Sequence, residues 1–234
     1  MKQLLIFDLD DTLIYTHLVY LQVTAEIIDR LQELGVDDEN LYYTLDSYDQ
    51  ETVEEDGCFK QDAFPRAVQK TYEFYCQKLN LEYSEEIAAE LNEIAFEINN
   101  IKYEPIEGAK TLLDTLADNP QYTMVLLTRG DEDIQNKKIK DNGFQNYFDE
   151  MIIMPLKDTK VFRDIIAKYG FSVKNTWIIG NSVRSEILPA QEIGANCILV
   201  KATESWGYES SETAVDCPTV TKLLDCLDIL QKEN

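Results

Sequence analysis

Histidine is almost missing: His17 is the only one in 234 residues. An imidazole-built zinc site is therefore not expected, and a histidine-dependent catalytic triad has a single candidate base. That residue, just behind the first apolar run, reads more simply as incidental. The five cysteines (Cys58, Cys76, Cys197, Cys217, Cys226) are scattered, odd in number and without CxxC spacing. They read as reduced thiols, which points to a cytoplasmic protein. Basic residues are outnumbered, 21 Lys and Arg against 44 Asp and Glu, so the net charge is -23. Such a surface repels phosphate backbones, so no nucleic-acid partner is expected. It suits a soluble protein that recruits Mg²⁺, although a merely solubilising surface is the plainer reading. No run approaches the roughly 18 apolar residues of a membrane-spanning helix, so no membrane partner is expected. Acidic residues from Asp8 onward interrupt the N-terminal apolar stretch too early for a signal peptide. Repeats and low-complexity tracts are missing too. What the chain does have is 44% hydrophobic residues, enough for one large domain or two smaller ones.

Those residues are arranged in short continuous runs: residues 4–6, 124–127 (MVLL), 151–154 (MIIM), 177–179 (WII) and 197–200 (CILV). Unbroken apolar runs fit strands of a parallel sheet buried on both faces. Helical spacing lies between them, as in Ala109, Leu112, Leu113 and Leu116, and again in Phe162, Ile165, Ile166 and Tyr169. The alternation predicts an α/β fold with a doubly wound parallel sheet. Residues 15–103 break the pattern and read as mostly helical. One helix carries Leu18 to Leu34 and stops at Gly35. A second spans residues 65–79, and a third follows Ser84 as N-cap, with Glu85 and Glu86 in its first turn. Residues 46–61, acidic and weakly apolar, read as a loop. The segment 105–108, with Pro105 and Gly108, reads as a hinge-like return to the sheet. The tail from Thr219 (Val220, Leu223, Leu224, Leu227) reads as a short amphipathic helix. The expected domains are thus 1–14 with 104–234, and the helical insert 15–103.

In an open parallel sheet, ligands bind beyond the carboxyl ends of the strands. The first run ends in FDLDDTL, with Asp8 and Asp10 two residues apart and Thr12 close behind. Clustered carboxylates at a strand end cost folding energy unless a cation or substrate compensates. The second run ends in Thr128, Arg129, Gly130 and Asp131. Lys157 follows the third, with Lys160 nearby. The fourth ends in Gly180, Asn181 and Ser182, then Ser185 and Glu186. Together these suit phosphoryl transfer, in which a protein chiefly positions groups and offsets charge. Asp8 would attack phosphorus, and Asp10 would protonate the leaving oxygen and then activate water. Thr128, with backbone N–H groups of the following turn (Arg129, Gly130), would hold phosphoryl oxygens. Lys157 would offset the charge of Asp8 and the phosphate. Mg²⁺, which takes oxygen ligands and keeps several waters, would find Asp8, the backbone carbonyl of Asp10, and Asn181.

The order DLDDT, Thr128 after MVLL, the lysine of PLKDTKVF, and GNSVRSEI resembles the haloacid dehalogenase (HAD) superfamily, phosphatase branch, over nearly the whole core. The resemblance implies a Rossmann-like core and a C1-type helical cap inserted after the first motif, where residues 15–103 lie. It also implies an Mg²⁺-dependent phosphatase acting on a small phosphorylated metabolite through an aspartyl-phosphate on Asp8. Substrate identity would then be read by the cap, where Arg66, Lys70, Tyr15, Tyr20 and Tyr72 are candidates. The fourth motif departs from the family pattern, which has aspartates at the positions of Asn181 and Glu186. Asn181 can ligate through its amide oxygen but brings no charge. Glu186 would restore charge through a water, hold Lys157, or cap the next helix. A phosphomutase, a haloacid dehalogenase using the same nucleophile, and a non-catalytic binding or regulatory protein stand as alternatives. Asp10 argues against dehalogenation, which has no phosphoryl leaving group to protonate.

Overall fold

The computed structural model describes residues 2–201 and 215–232. The chain divides into two compact units, Met1–His17 with Tyr103–Asn234, and Leu18–Lys102. The first unit is built on a six-stranded sheet. Its strands are β1 (Gln3–Phe7), β2 (Tyr122–Arg129), β3 (Glu150–Met154), β4 (Thr176–Gly180), β5 (Asn196–Val200) and β6 (Thr219–Val220). Their order is β3-β2-β1-β4-β5-β6, and every pairing is parallel. The expected doubly wound sheet is therefore present. All five residues of β1 are buried, as an unbroken apolar run between two neighbours requires. Because β1 lies between β2 and β4, the winding reverses direction there, and its carboxyl end opens at the switch point.

The crossover helices of this unit are α5 (Ala109–Ala117), α6 (Glu132–Asn142), α7 (Thr159–Tyr169) and α8 (Leu188–Ile193). α5 buries Ala109, Leu112, Leu113 and Leu116, and α7 buries Phe162, Ile165 and Ile166, one stripe each. The tail differs from the expected helix. Thr219 and Val220 form β6, and α9 (Cys226–Lys232) begins only after them. The reason is the exposed edge of β5: Leu199 N–H donates to Pro218 O at 2.9 Å and Lys201 N–H to Val220 O at 2.8 Å. Two short residues of strand cover backbone groups that a helix would leave unpaired.

The second unit holds four helices, with α1 (His17–Glu33) running into it from the first. They continue with α2 (Leu41–Asp56), α3 (Ala63–Leu79) and α4 (Glu85–Phe96). Their shared core includes Ile27, Leu31, Leu45, Phe64, Tyr75 and Leu91. Ser84 caps α4, accepting from Ile87 N–H at 3.4 Å. The loop expected over residues 46–61 is overturned: most of it is the second half of α2. Leu41, Leu45, Asp49 and Val53 make one buried stripe at helical spacing, while Glu51, Glu54 and Glu55 face solvent. The acidity belongs to the outer face of a helix, which hid the sparse apolar face in sequence.

The chain leaves and re-enters the sheet unit at adjacent points. Tyr15 N–H donates to Glu104 O, Ile106 N–H donates to Leu13 O, both at 2.9 Å, and Ile14 bridges Pro105.

Candidate active site

The ladder between β1 and β4 runs one residue past β1, since Asp8 N–H donates to Ile179 O at 2.9 Å. That fixes the Asp8 backbone at the sheet's carboxyl edge. The chain then reverses over residues 9–14. Leu13 N–H returns to Leu9 O at 2.8 Å, and Asp11 adopts φ +55°. Aspartate tolerates that left-handed conformation better than most side chains. The Asp11 carboxylate also has a structural task that the sequence reading did not assign. It accepts from the backbone N–H groups of Thr16 and His17, both at 2.9 Å, at the entry to α1.

Asp8 is buried, and each carboxylate oxygen has its own partner. Lys157 Nζ donates to Oδ1, and Thr12 Oγ1 donates to Oδ2 at 2.8 Å. Burial pushes the Asp8 carboxyl above its ordinary range, the Lys157 cation opposes that, and the nearby Asp10 charge adds to it. Lys157 is also buried and donates to Glu186 Oε1 at 2.9 Å. Burial works against its charge, but the two carboxylates outweigh burial and raise the amine above its usual value. Lys160, the other lysine near the third motif, is exposed and pairs with Asp164 at 2.6 Å.

Glu186 sits within a π-helical turn, Val183–Ile187. Its Oε2 accepts from Ser182 N–H at 2.9 Å while its Oε1 takes Lys157. It thus both pins the turn behind Asn181 and holds the lysine. Gly180 makes room for it: a Cβ there would lie 2.6 Å from Glu186 Cγ and 2.8 Å from Oε2. Asn181 faces Asp8 across Thr12, whose Oγ1 lies 3.3 Å from Asn181 Oδ1.

Asp10 projects the other way, toward β2 and α6. Its Oδ1 accepts from Lys138 Nζ and from Thr16 Oγ1, both at 2.6 Å. Its Oδ2 accepts from Gln135 Nε2 at 2.6 Å and lies 3.4 Å from Thr128 Oγ1. Burial raises the Asp10 carboxyl, but the Lys138 cation and these hydrogen bonds outweigh it and hold it below the usual carboxylate range. Thr128 is buried at the end of β2. Arg129 and Gly130 then turn the chain into α6, whose N-cap Asp131 accepts from Asp133 and Ile134 N–H.

The geometry brings Asp8, Asp10, Thr128, Lys157 and Asn181 to one sheet edge, around β1. Gln135, Lys138 and Thr16 join them and were missed in sequence. A signal existed: Gln135, Lys138, Ile139 and Asn142 have i, i+3, i+4, i+7 spacing, and all four are buried. The inner face of α6 is polar, so a search for apolar stripes passes over it. Of the insert's candidates, Tyr72 is a core residue and Tyr20 packs edge-on against Phe64 at 5.4 Å. Arg66 pairs with Asp56, and Lys70 with Glu55 at 3.1 Å. Tyr15 belongs to the sheet unit, its hydroxyl accepting from Glu107 N–H at 3.4 Å.

Among the described residues no three His, Cys, Asp or Glu side chains cluster as a metal cage. The donors that converge are an aspartate and an amide, with Thr12 between Asp8 Oδ2 and Asn181 Oδ1. All are hard oxygens, which fits Mg²⁺ bound largely through waters and substrate oxygens. No helix among the described residues is long and apolar enough to cross a membrane.

The profile of one protein family, described as haloacid dehalogenase-like hydrolase, matches residues 5–200. No curated protein sequence matches the chain. Among solved structures, a haloacid dehalogenase-like family hydrolase from Xanthomonas campestris aligns with TM-score 0.79 at 19% identity, over 99% of this chain and 91% of its own. A structure described as a predicted phosphoglycolate phosphatase from Haemophilus somnus gives TM-score 0.65 at 16% identity, over 98% of both chains. L-2-haloacid dehalogenase from Xanthobacter autotrophicus gives 0.63 at 16%, over 99% of both. At these identities the likeness is one of fold.

Proposed function

The chain belongs to the haloacid dehalogenase-like hydrolases, and from that premise we propose that it is a phosphatase acting on a small phosphorylated metabolite, with Asp8 as nucleophile. The observation that carries this reading is the second carboxylate. Asp10 stands on the same strand end as Asp8, beside Thr128, and is held there by three donors. A phosphate ester needs a group that protonates its leaving oxygen and later deprotonates water. Displacement of a halide by a carboxylate needs no such acid.

A carboxylate oxygen of Asp8 attacks phosphorus, the bond from phosphorus to the leaving oxygen breaks, and Asp10 delivers a proton to that oxygen. Free Asp10 is held ionised, but a phosphate dianion arriving beside it is a like charge and favours its protonated form. Asp10 then takes a proton from water, the resulting hydroxide attacks phosphorus, and the bond to Asp8 breaks, freeing phosphate and returning Asp8 to a carboxylate and Asp10 to its protonated form. Thr128 donates to a phosphoryl oxygen. Lys157 offsets the charge that accumulates around Asp8, and Glu186 keeps Lys157 in place. Asp8, the backbone carbonyl of Asp10, and Asn181 would hold Mg²⁺, which supplies charge neutralisation on the phosphoryl oxygens. The helical unit acts as the cap in this reading, excluding water and selecting the substrate.

Haloacid dehalogenation is the second reading, favoured by Asn181: a neutral amide where a phosphatase would gain from a metal-binding carboxylate. Hydrolysis of p-nitrophenyl phosphate with Mg²⁺, compared with Asp8→Asn, separates the two. The expected result is Mg²⁺-dependent turnover that Asp8→Asn abolishes. Release of chloride from 2-chloropropionate, without phosphate release from the ester, would replace this reading with dehalogenation.

A further inference from the structure

Asp10 accepts from three side chains besides its contact with Thr128, and two of the three lie on the buried face of α6. Gln135 Nε2 bridges Asp10 Oδ2 at 2.6 Å and Thr128 Oγ1 at 2.5 Å. An ionised carboxylate only accepts, so the atom of Gln135 facing Asp10 is the amide nitrogen. The same nitrogen also donates to Thr128, whose own hydroxyl is turned toward Asp10 Oδ2 at 3.4 Å and Arg129 O at 3.5 Å. Lys138 is 7% exposed and is itself held on both sides. Its ammonium lies 4.5 Å from the centre of the Tyr103 ring. Asn142 Nδ2 donates to Lys138 O at 2.9 Å and to Tyr103 O at 3.0 Å. Gly130 keeps space for the arrangement, since a Cβ there would meet Gln135 at 3.1 Å and its φ of +140° disfavours any other residue.

We infer that Gln135 and Lys138 are positioning residues: they aim the Asp10 carboxylate at the leaving oxygen and set the direction of the Thr128 hydroxyl. The inference rests on the phosphatase reading. A buried ion pair contributes little to stability compared with well-packed apolar residues. Fixed orientation is what two charged or amide side chains add where leucine and methionine would fill the same space. Gln135 also links the residue for the leaving group to the residue for the phosphoryl oxygens, so one side chain sets both.

The readout is leaving-group dependence. An ester of p-nitrophenol departs with little protonation, whereas an alkyl phosphate depends on the acid. Lys138→Met and Gln135→Leu are expected to lower kcat for an alkyl phosphate about tenfold more than for p-nitrophenyl phosphate, a part of the 10²–10⁴ that acid–base catalysis supplies. KM should change little, and Lys138→Arg should recover much of the lost ratio. In an Asp10→Asn background Lys138→Met should add almost nothing. Equal losses on the two esters, or additive losses in that background, would overturn the positioning roles while leaving the phosphatase reading intact. No turnover of either ester by the unsubstituted protein with Mg²⁺ overturns both. Should Lys138→Met or Gln135→Leu fail to fold, Gln135→Asn, one methylene shorter, carries the same comparison.

Discussion

Gly180→Ala places a methyl carbon where the structure has no room. The new Cβ would lie 2.6 Å from Glu186 Cγ and 2.9 Å from Cδ, while carbon atoms rest at about 3.5–4.0 Å. Glu186 must therefore retreat by about 1 Å. It cannot do so without loss, because Ser182 N–H and Lys157 Nζ each hold one of its oxygens at 2.9 Å. Moved that far, both bonds pass beyond about 3.5 Å and are lost. A hydrogen bond to a charged group contributes about 1.5–3 kcal/mol, and overpacking costs about 1–3 kcal/mol on its own. The expected destabilisation is at least about 4 kcal/mol, at the upper end of the scale of breaking a buried pair. Urea unfolding followed by circular dichroism measures it. Activity should fall as well, since Lys157 loses one of its two anchors. Glu186→Ala removes the obstacle, so Gly180→Ala should cost almost nothing further in that background. A Gly180→Ala protein within about 1 kcal/mol of the parent, or additive effects in the double variant, would refute this account of the glycine.

Asp49 is buried on α2, and burial, with the Asp46 charge adding, pushes its carboxyl from 3.8 up to about 7. A carboxyl raised in the folded state leaves stability intact below pH 3.8 and removes it progressively up to about pH 7. At about 1.4 kcal/mol per pH unit the full loss is about 4 kcal/mol. Asp49→Asn should be more stable than the parent at pH 8 and equal at pH 4, and parallel pH–stability curves from urea unfolding would contradict it. Lys157→Met leaves Asp8 and Glu186 buried without their cation and should cost about 3–5 kcal/mol. Lys160→Ala, on an exposed pair, should stay within about 0.5 kcal/mol in the same urea titration. Asn181→Asp adds a charge beside Asp8 and should lower the Mg²⁺ concentration for half-maximal turnover about tenfold, roughly 1.4 kcal/mol, read from Mg²⁺ titrations of p-nitrophenyl phosphate hydrolysis.

The sheet was legible because strands buried on both faces are unbroken apolar runs, and the runs at residues 4–6 and 177–179 lie inside β1 and β4. Elements that bury something other than a row of hydrophobic side chains were not. α2 carries Asp49 and Thr52 on its inner stripe, so its periodicity dissolves into an acidic background. β6 is two residues long, and its purpose is to pair the backbone of β5, which no side-chain pattern records. The strand-end positions pointed to the carboxylates, the threonine and the lysine. Distance along the chain favoured Lys157 over Lys160, and the structure gives the physical difference: one is buried between two carboxylates and the other is solvated. The support behind Asp10 was hidden because Gln135 and Lys138 are residue types usually read as solvent-facing.

The paired backbone where residues 13–15 meet 104–106 has a consequence for how this gene product can be rebuilt. The two ends of the helical insertion are already joined by hydrogen bonds that belong to the sheet unit. For a longer, shorter or unrelated module in its place, the closure entropy of the inserted loop grows only with the logarithm of its length. Each doubling of that loop costs about 0.6 kcal/mol, little against the stability of a domain. The sheet unit thus keeps its own entry and exit segments paired whatever module is inserted between them.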